Sequence, residues 1–259
     1  MTLVLSPAKS LDFESPLPPA FAAVEAELHR PAFVAEAAEL VQQLRGLDAG
    51  DMARLMELSP ALAALNVQRY RDWRPRFTPK NSRAALLAFN GDVYEGLDAR
   101  SLDEAALRWA DAHVRILSGL YGLLRPLDRM QPYRLEMGRP LRTERGANLY
   151  AFWGDTQAQA LNRLGRGPVV NLASQEYARA MLRSALKRPV IELVFQEGVG
   201  EGAKIVSFFA KRARGLMARY AIEHRVDDAE ALRGFDRGGY RWRAKLSSQE
   251  RWVFQREAT

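Results

Sequence analysis

Apolar residues fall along this chain in two rhythms. Short runs with little polar interruption, over 2–5, 84–89, 114–117, 168–172, 190–195 and 204–209, have the length and composition of buried strands. Between them, Ala-, Glu- and Leu-rich stretches repeat at helical spacing over 20–29, 32–45, 51–58, 60–73, 101–112, 148–164, 175–186 and 211–224. Pro31 suits the first turn of the second of these, and Ser59 followed by Pro60 caps the fourth. The runs 190–195 and 204–209 read as paired strands joined by a glycine-rich turn at 198–202. The tail alternates like a hairpin, with Tyr240, Trp242 and Ala244 set against Trp252 and Phe254. Strands alternating with helices predict an α/β fold, a mixed, mainly central sheet flanked by helices and ending in a C-terminal β-hairpin. No repeat, low-complexity tract or linker interrupts residues 1–259, so a single domain is expected.

Composition narrows the classes. A chain of 259 residues with 47% hydrophobic and 27% charged residues can bury a sizeable core and is not disordered. No apolar run approaches 18 residues, so no membrane association is expected. The first residues, MTLVLSPAKS, lack a basic leader and a long apolar core, which argues against a secretory signal. Cysteine is absent, which excludes disulfides, thiolate metal sites and thiol catalysis and fits a cytoplasmic protein. Lys and Arg outnumber Asp and Glu by 38 to 31, a net charge of +7 that favours an anionic partner. Arg greatly outnumbers Lys, and guanidinium is the better planar ligand for phosphate, although a GC-rich genome enriches Arg as well.

Candidate chemistry concentrates in the stretch VRILSGLYGLLRPLDRMQPYRLEM at 114–137. An apolar strand breaks at Ser118-Gly119 and again at Gly122, and then Arg125, Asp128, Gln131, Tyr133, Arg134 and Glu136 follow on a frame stiffened by Pro126 and Pro132. Other strands stop at comparable groups: 2–5 at Ser6 and Lys9, 84–89 at Asn90 and Asp92, 168–172 at Asn171 and Ser174. In α/β sheets the carboxyl ends of strands gather along one edge, where ligands bind. Ser6, Lys9, Asp92, Ser118, Tyr121, Asn171 and Ser174 are therefore expected to share a cleft, closed by Lys211, Arg212 and Arg214. Its ammonium and guanidinium groups suit phosphate oxygens, and Tyr121 or Tyr133 suits stacking on a base. Asp92 and Glu136 are the candidate proton-transfer groups, with Asp92 the preferred base and Lys9 its companion. The lysine in SPAKS lacks the glycine nest of a phosphate-binding loop, and Gly119 and Gly122 do not make a dinucleotide fingerprint. His29, His113 and His224 show no metal-ligand spacing, so neither metal nor cofactor is expected.

Five blocks, SPAKSLDF at 6–13, FNGDVYEGL at 89–97, LSGLYGLLRPLDRMQPYRLEMG at 117–138, NLASQEY at 171–177 and FFAKRARGLMARY at 208–220, resemble the YaaA family of bacterial peroxide-stress proteins. The resemblance covers nearly the whole chain. It implies a cytoplasmic protein that limits iron-dependent oxidative damage, binds double-stranded DNA through a basic cleft, and carries a helix–hairpin–helix element. Here that element would fall at about 50–74, with its connection at 62–66 and with Arg69 and Arg71 facing phosphate. Ala64 stands where such a hairpin would carry glycine, and Asn90 stands where the family block often has lysine.

Two readings of the cleft follow. A DNA-binding protective protein would use Lys9, Ser118, Tyr121, Arg125, Arg134, Asn171, Ser174, Lys211, Arg212 and Arg214, with Arg69 and Arg71 as a second contact. An enzyme acting on a nucleotide or on a modified nucleobase would use Asp92 and Lys9 at the same place. An iron store is a third class, and no carboxylate–histidine pattern in the chain supports it.

Overall fold

The computed structural model of the chain describes residues 1–200 and 202–257. It opens with β1 (Thr2–Leu5) and β2 (Ser10–Leu11), followed by helices α1 (Pro19–Ala23), α2 (Val34–Arg45), α3 (Ala49–Met56) and α4 (Pro60–Asp72). β3 (Arg83–Ala84), the single turn α5 (Ala85–Ala88) and β4 (Phe89–Asn90) lead into α6 (Asp92–Leu97) and α7 (Glu104–His113). β5 (Val114–Ser118) folds back as β6 (Gly122–Leu124), and β7 (Arg129–Met130) pairs with β3. Next come α8 (Leu149–Trp153), α9 (Thr156–Asn162), β8 (Val169–Leu172), α10 (Gln175–Met181), β9 (Val190–Glu197), α11 (Ser207–Glu223), β10 (Arg241–Trp242) and β11 (Arg251–Arg256).

Seven strands form the central sheet in the order β10-β11-β9-β8-β1-β5-β6. The five inner strands are parallel throughout, and β10 and β6 close the two edges antiparallel. Every residue of β1, β5 and β8 is buried, as expected for parallel strands covered on both faces. Numbered by chain order, the parallel strands run 2-1-3-4-5. The connections leave β1 first toward β5 and then return across it to β8, so β1 and β8 flank the point where the winding reverses. Crevices at the carboxyl end of such a point are where α/β sheets hold ligands.

Two strand expectations fail. The run 84–89 is a buried helical turn between two-residue strands, because a short apolar run fits a buried turn as well as a strand. The run 204–209 is not a strand either. β9 finds its partners in β8 and β11, leaving Lys204 a single bridge to Glu197, and α11 begins at Ser207. Glu201, in the turn expected at 198–202, lies outside the described residues. The expected helix 148–164 is divided by Gly154 in the left-handed region (φ 49°). The stretch 62–66, where the hairpin of a helix–hairpin–helix would fall, lies inside α4. The connection from α3 to α4 is 57–59, with Glu57 itself left-handed at φ 53°.

A close helix crossing positions the site. α6 and α11 meet where a Cβ on Gly215 would lie 1.9 Å from the Val93 carbonyl oxygen, and one on Gly96 would lie 2.2 Å from that of Arg212. Only two glycines let the backbones approach this far. The crossing brings Asp92, at the start of α6, beside Lys211 on α11.

Candidate functional site

The strand ends at the winding reversal are tied together first. Ser6 Oγ, just past β1, accepts from the Ser174 amide at 2.8 Å and donates to Ser174 Oγ at 3.3 Å, just past β8. Tyr94 on α6 donates its hydroxyl to the Ser6 carbonyl at 2.9 Å. Above these groups opens a cleft of about 520 Å³, a volume within the range of small-molecule sites. Lys9, Arg134, Lys211 and Arg214 line it, as do Asp92, Glu136 and Glu176, so four cations stand against three carboxylates.

Glu136 is the organising group of the floor. Its Oε1 takes Arg134 Nη2 at 3.2 Å, Lys9 Nζ at 3.6 Å and Arg139 Nη2 at 3.6 Å. Its Oε2 has no hydrogen-bond partner although the side chain is only 7% exposed. The backbone beneath is held tightly: a Cβ on Gly119 would lie 2.2 Å from the Leu135 carbonyl oxygen. The Tyr70 hydroxyl donates to the Arg134 carbonyl at 2.6 Å, anchoring the stretch to α4. Lys9 is 63% exposed and free to swing, whereas Asp92 is 26% exposed with its Oδ2 3.7 Å from Lys211 Nζ. Burial depresses the basicity of Arg214, and its Nε lacks a partner.

Of the residues expected at this cleft, Ser6, Lys9, Asp92, Tyr133, Arg134, Glu136, Ser174, Lys211 and Arg214 line it. The others lie elsewhere. Ser118 sits a layer below, its Oγ 2.6 Å from the Tyr133 hydroxyl and accepting from the Tyr121 amide. Tyr121 is fully buried, and its hydroxyl accepts from Trp73 Nε1 at 2.9 Å and from the Gln131 amide at 3.1 Å. Burial raises its pKa, so the phenol stays neutral. Asn171 turns its Oδ1 back onto the Ala173 amide at 2.9 Å. Arg125 pairs with buried Asp128 at 3.2 Å, and Arg212 and Arg71 are exposed outside the cleft lining. Arg69 is partly buried; desolvation lowers its pKa, and the nearby charge of Arg134 adds to that. The strand-end pattern pointed to Ser6 and Ser174 but not to Arg139, whose place on Glu136 depends on the fold of 134–139. Tyr94, Tyr133 and Tyr177 also line the cleft, and the hydroxyls of the first two are engaged by the Ser6 carbonyl and the Ser118 hydroxyl.

Fold and site together define an α/β protein with a charged cleft at the winding reversal of a parallel sheet. The chain belongs to the peroxide stress protein YaaA family, whose pattern it matches over residues 1–246. A UPF0246 protein of Paracidovorax citrulli is 58% identical over 261 residues, covering 99% of each chain. UPF0246 proteins of Aromatoleum aromaticum and Bordetella petrii are each 54% identical and span the full length of both chains.

Proposed function

We propose that this peroxide-stress protein acts in the cytoplasm by binding the phosphates of double-stranded DNA at the cleft, limiting iron-dependent oxidative damage to it. The observation that carries this reading is the convergence of Lys9, Arg134, Lys211 and Arg214 from three separate segments onto one cleft at the β1/β8 reversal. Net charge of +7 adds long-range attraction for a polyanion. Arg69 and Arg71, at the end of α4, extend the cationic surface, because Tyr70 ties that helix to Arg134. The test is duplex binding by the protein carrying Lys9→Glu and Lys211→Glu. Affinity is expected to fall at least tenfold, and equally for unrelated sequences, since phosphate contacts carry no sequence information. Unchanged affinity would overturn the reading.

A second reading, catalysis on a nucleotide or nucleobase at the same cleft, is favoured by Asp92 beside Lys211 in a partly enclosed space. Under that reading Asp92→Asn abolishes protection of peroxide-treated cells while leaving DNA affinity in place. Equal protection by both proteins would remove it.

A further inference from the structure

A site built only to grip phosphate gains nothing from carboxylates, yet this cleft holds three, and the most buried of them is incompletely bonded. Three cations converge on Glu136 Oε1, while Oε2 is buried and has no hydrogen-bond partner. A buried acceptor left empty is costly, and a carboxylate more so than a neutral group. Glu136 cannot withdraw from this arrangement, because its backbone is pinned against Gly119 and through Arg134 to α4. What can move is the carboxyl group, whose terminal torsion is soft, and Lys9, whose exposed side chain makes only a long contact.

The surroundings restrict what fills the vacancy in bonding. Tyr94, Tyr133 and Tyr177 line the cleft, and the hydroxyls of the first two are engaged elsewhere, so the wall beside Glu136 is aromatic. A flat ring with an N–H edge satisfies both the wall and the carboxylate. The cations at the rim then take the phosphate attached to it. The volume of about 520 Å³ accommodates one nucleotide unit.

We infer that Glu136 is a specificity-determining residue that reads the amino edge of a nucleobase, so that the cleft takes a phosphate-bearing nucleoside with an exocyclic amino group. Cytosine, adenine and guanine offer such a donor to a carboxylate. Thymine sets carbonyl oxygens on either side of its single N–H, and these repel the carboxylate. The inference rests on the phosphate-binding reading above and adds the base to it. For duplex DNA it requires a base turned out of the stack into the cleft.

Calorimetric titration of the full chain with dCMP, dAMP, dGMP, dTMP and 2-deoxyribose 5-phosphate tests it. The wild-type protein is expected to bind at least one amino-bearing nucleotide about tenfold more tightly than dTMP or the sugar phosphate, the scale of one charge-assisted hydrogen bond. Glu136→Gln, which keeps the shape and removes the charge, is expected to bring that nucleotide to within about threefold of dTMP, with sugar-phosphate affinity retained. If all five ligands bind alike, or the ranking survives Glu136→Gln, the inference is overturned and the phosphate reading stands. If none binds, including the sugar phosphate, both are overturned. Should the variant fail to fold, the wild-type ranking alone decides.

Discussion

Asp128 shows how one buried group acquires a measurable consequence. It is almost fully enclosed, and burial pushes its pKa up from 3.8 to about 6, only partly offset by the Arg125 amide and guanidinium. A carboxyl whose pKa is higher in the folded state contributes stability that is complete below its unfolded value and is lost as pH rises through about 6. The shift corresponds to about 3 kcal/mol at most. Asp12 and Glu223 are depressed by hydrogen bonds and by arginines, and they act in the opposite sense in acid. The difference between wild type and Asp128→Asn isolates the Asp128 contribution. Urea unfolding at pH 4.5 and pH 7.5 is expected to show the variant gaining stability relative to wild type as pH rises. No relative gain would contradict the assignment. At the same scale, Tyr70→Phe removes the hydroxyl that holds the Arg134 carbonyl and is expected to cost about 1 kcal/mol in the same measurement.

Among the elements, the α6–α11 crossing has the narrowest tolerance. Gly215→Ala places a methyl group inside contact distance of the Val93 carbonyl, so the helices must separate. A loss of about 1–3 kcal/mol is expected, together with weaker duplex binding, because Asp92 and Lys211 move apart. Gly202→Ala, where no atom lies within 4 Å of an added Cβ, is the control and is expected to change stability by less than about 0.5 kcal/mol. Equal effects from both substitutions would contradict the close crossing.

Elements of this kind also divide what was legible in the chain from what was not. Strands at 2–5, 114–117, 168–172 and 190–195 were readable because parallel strands covered on both faces are continuously apolar. The run 204–209 misled because Ile205, Val206 and Phe208 have strand composition but stand exposed, while β9 takes its partners from elsewhere in the chain. Such pairing is decided by contacts far apart in sequence. Similarly, Ser118, Tyr121 and Asn171 mark strand ends correctly, yet their polar atoms bond inward to Tyr133, Trp73 and Ala173. Composition gives the residue at a strand end but not the face its side chain takes. The open oxygen of Glu136 is equally invisible before folding, since it depends on how three cations distribute over one carboxylate.

For the molecule as a whole, the sheet order matters most. Placing β1 between β5 and β8 sets Ser6 beside Ser174 and lets loops after β1 and β4 meet α11 over one cleft. No helix among the described residues is long and apolar enough to cross a membrane. The surplus of seven positive charges is tested through the salt dependence of binding to a polyanion. The decisive measurement is the affinity for a short DNA duplex as a function of salt, for wild type and for Lys9→Glu with Lys211→Glu. Each phosphate neutralised contributes about −0.9 to the slope of log affinity against log salt. The double variant is expected to bind more weakly with a slope shallower by about 2. An identical slope and affinity in the two proteins would contradict the placement of DNA phosphates at this cleft.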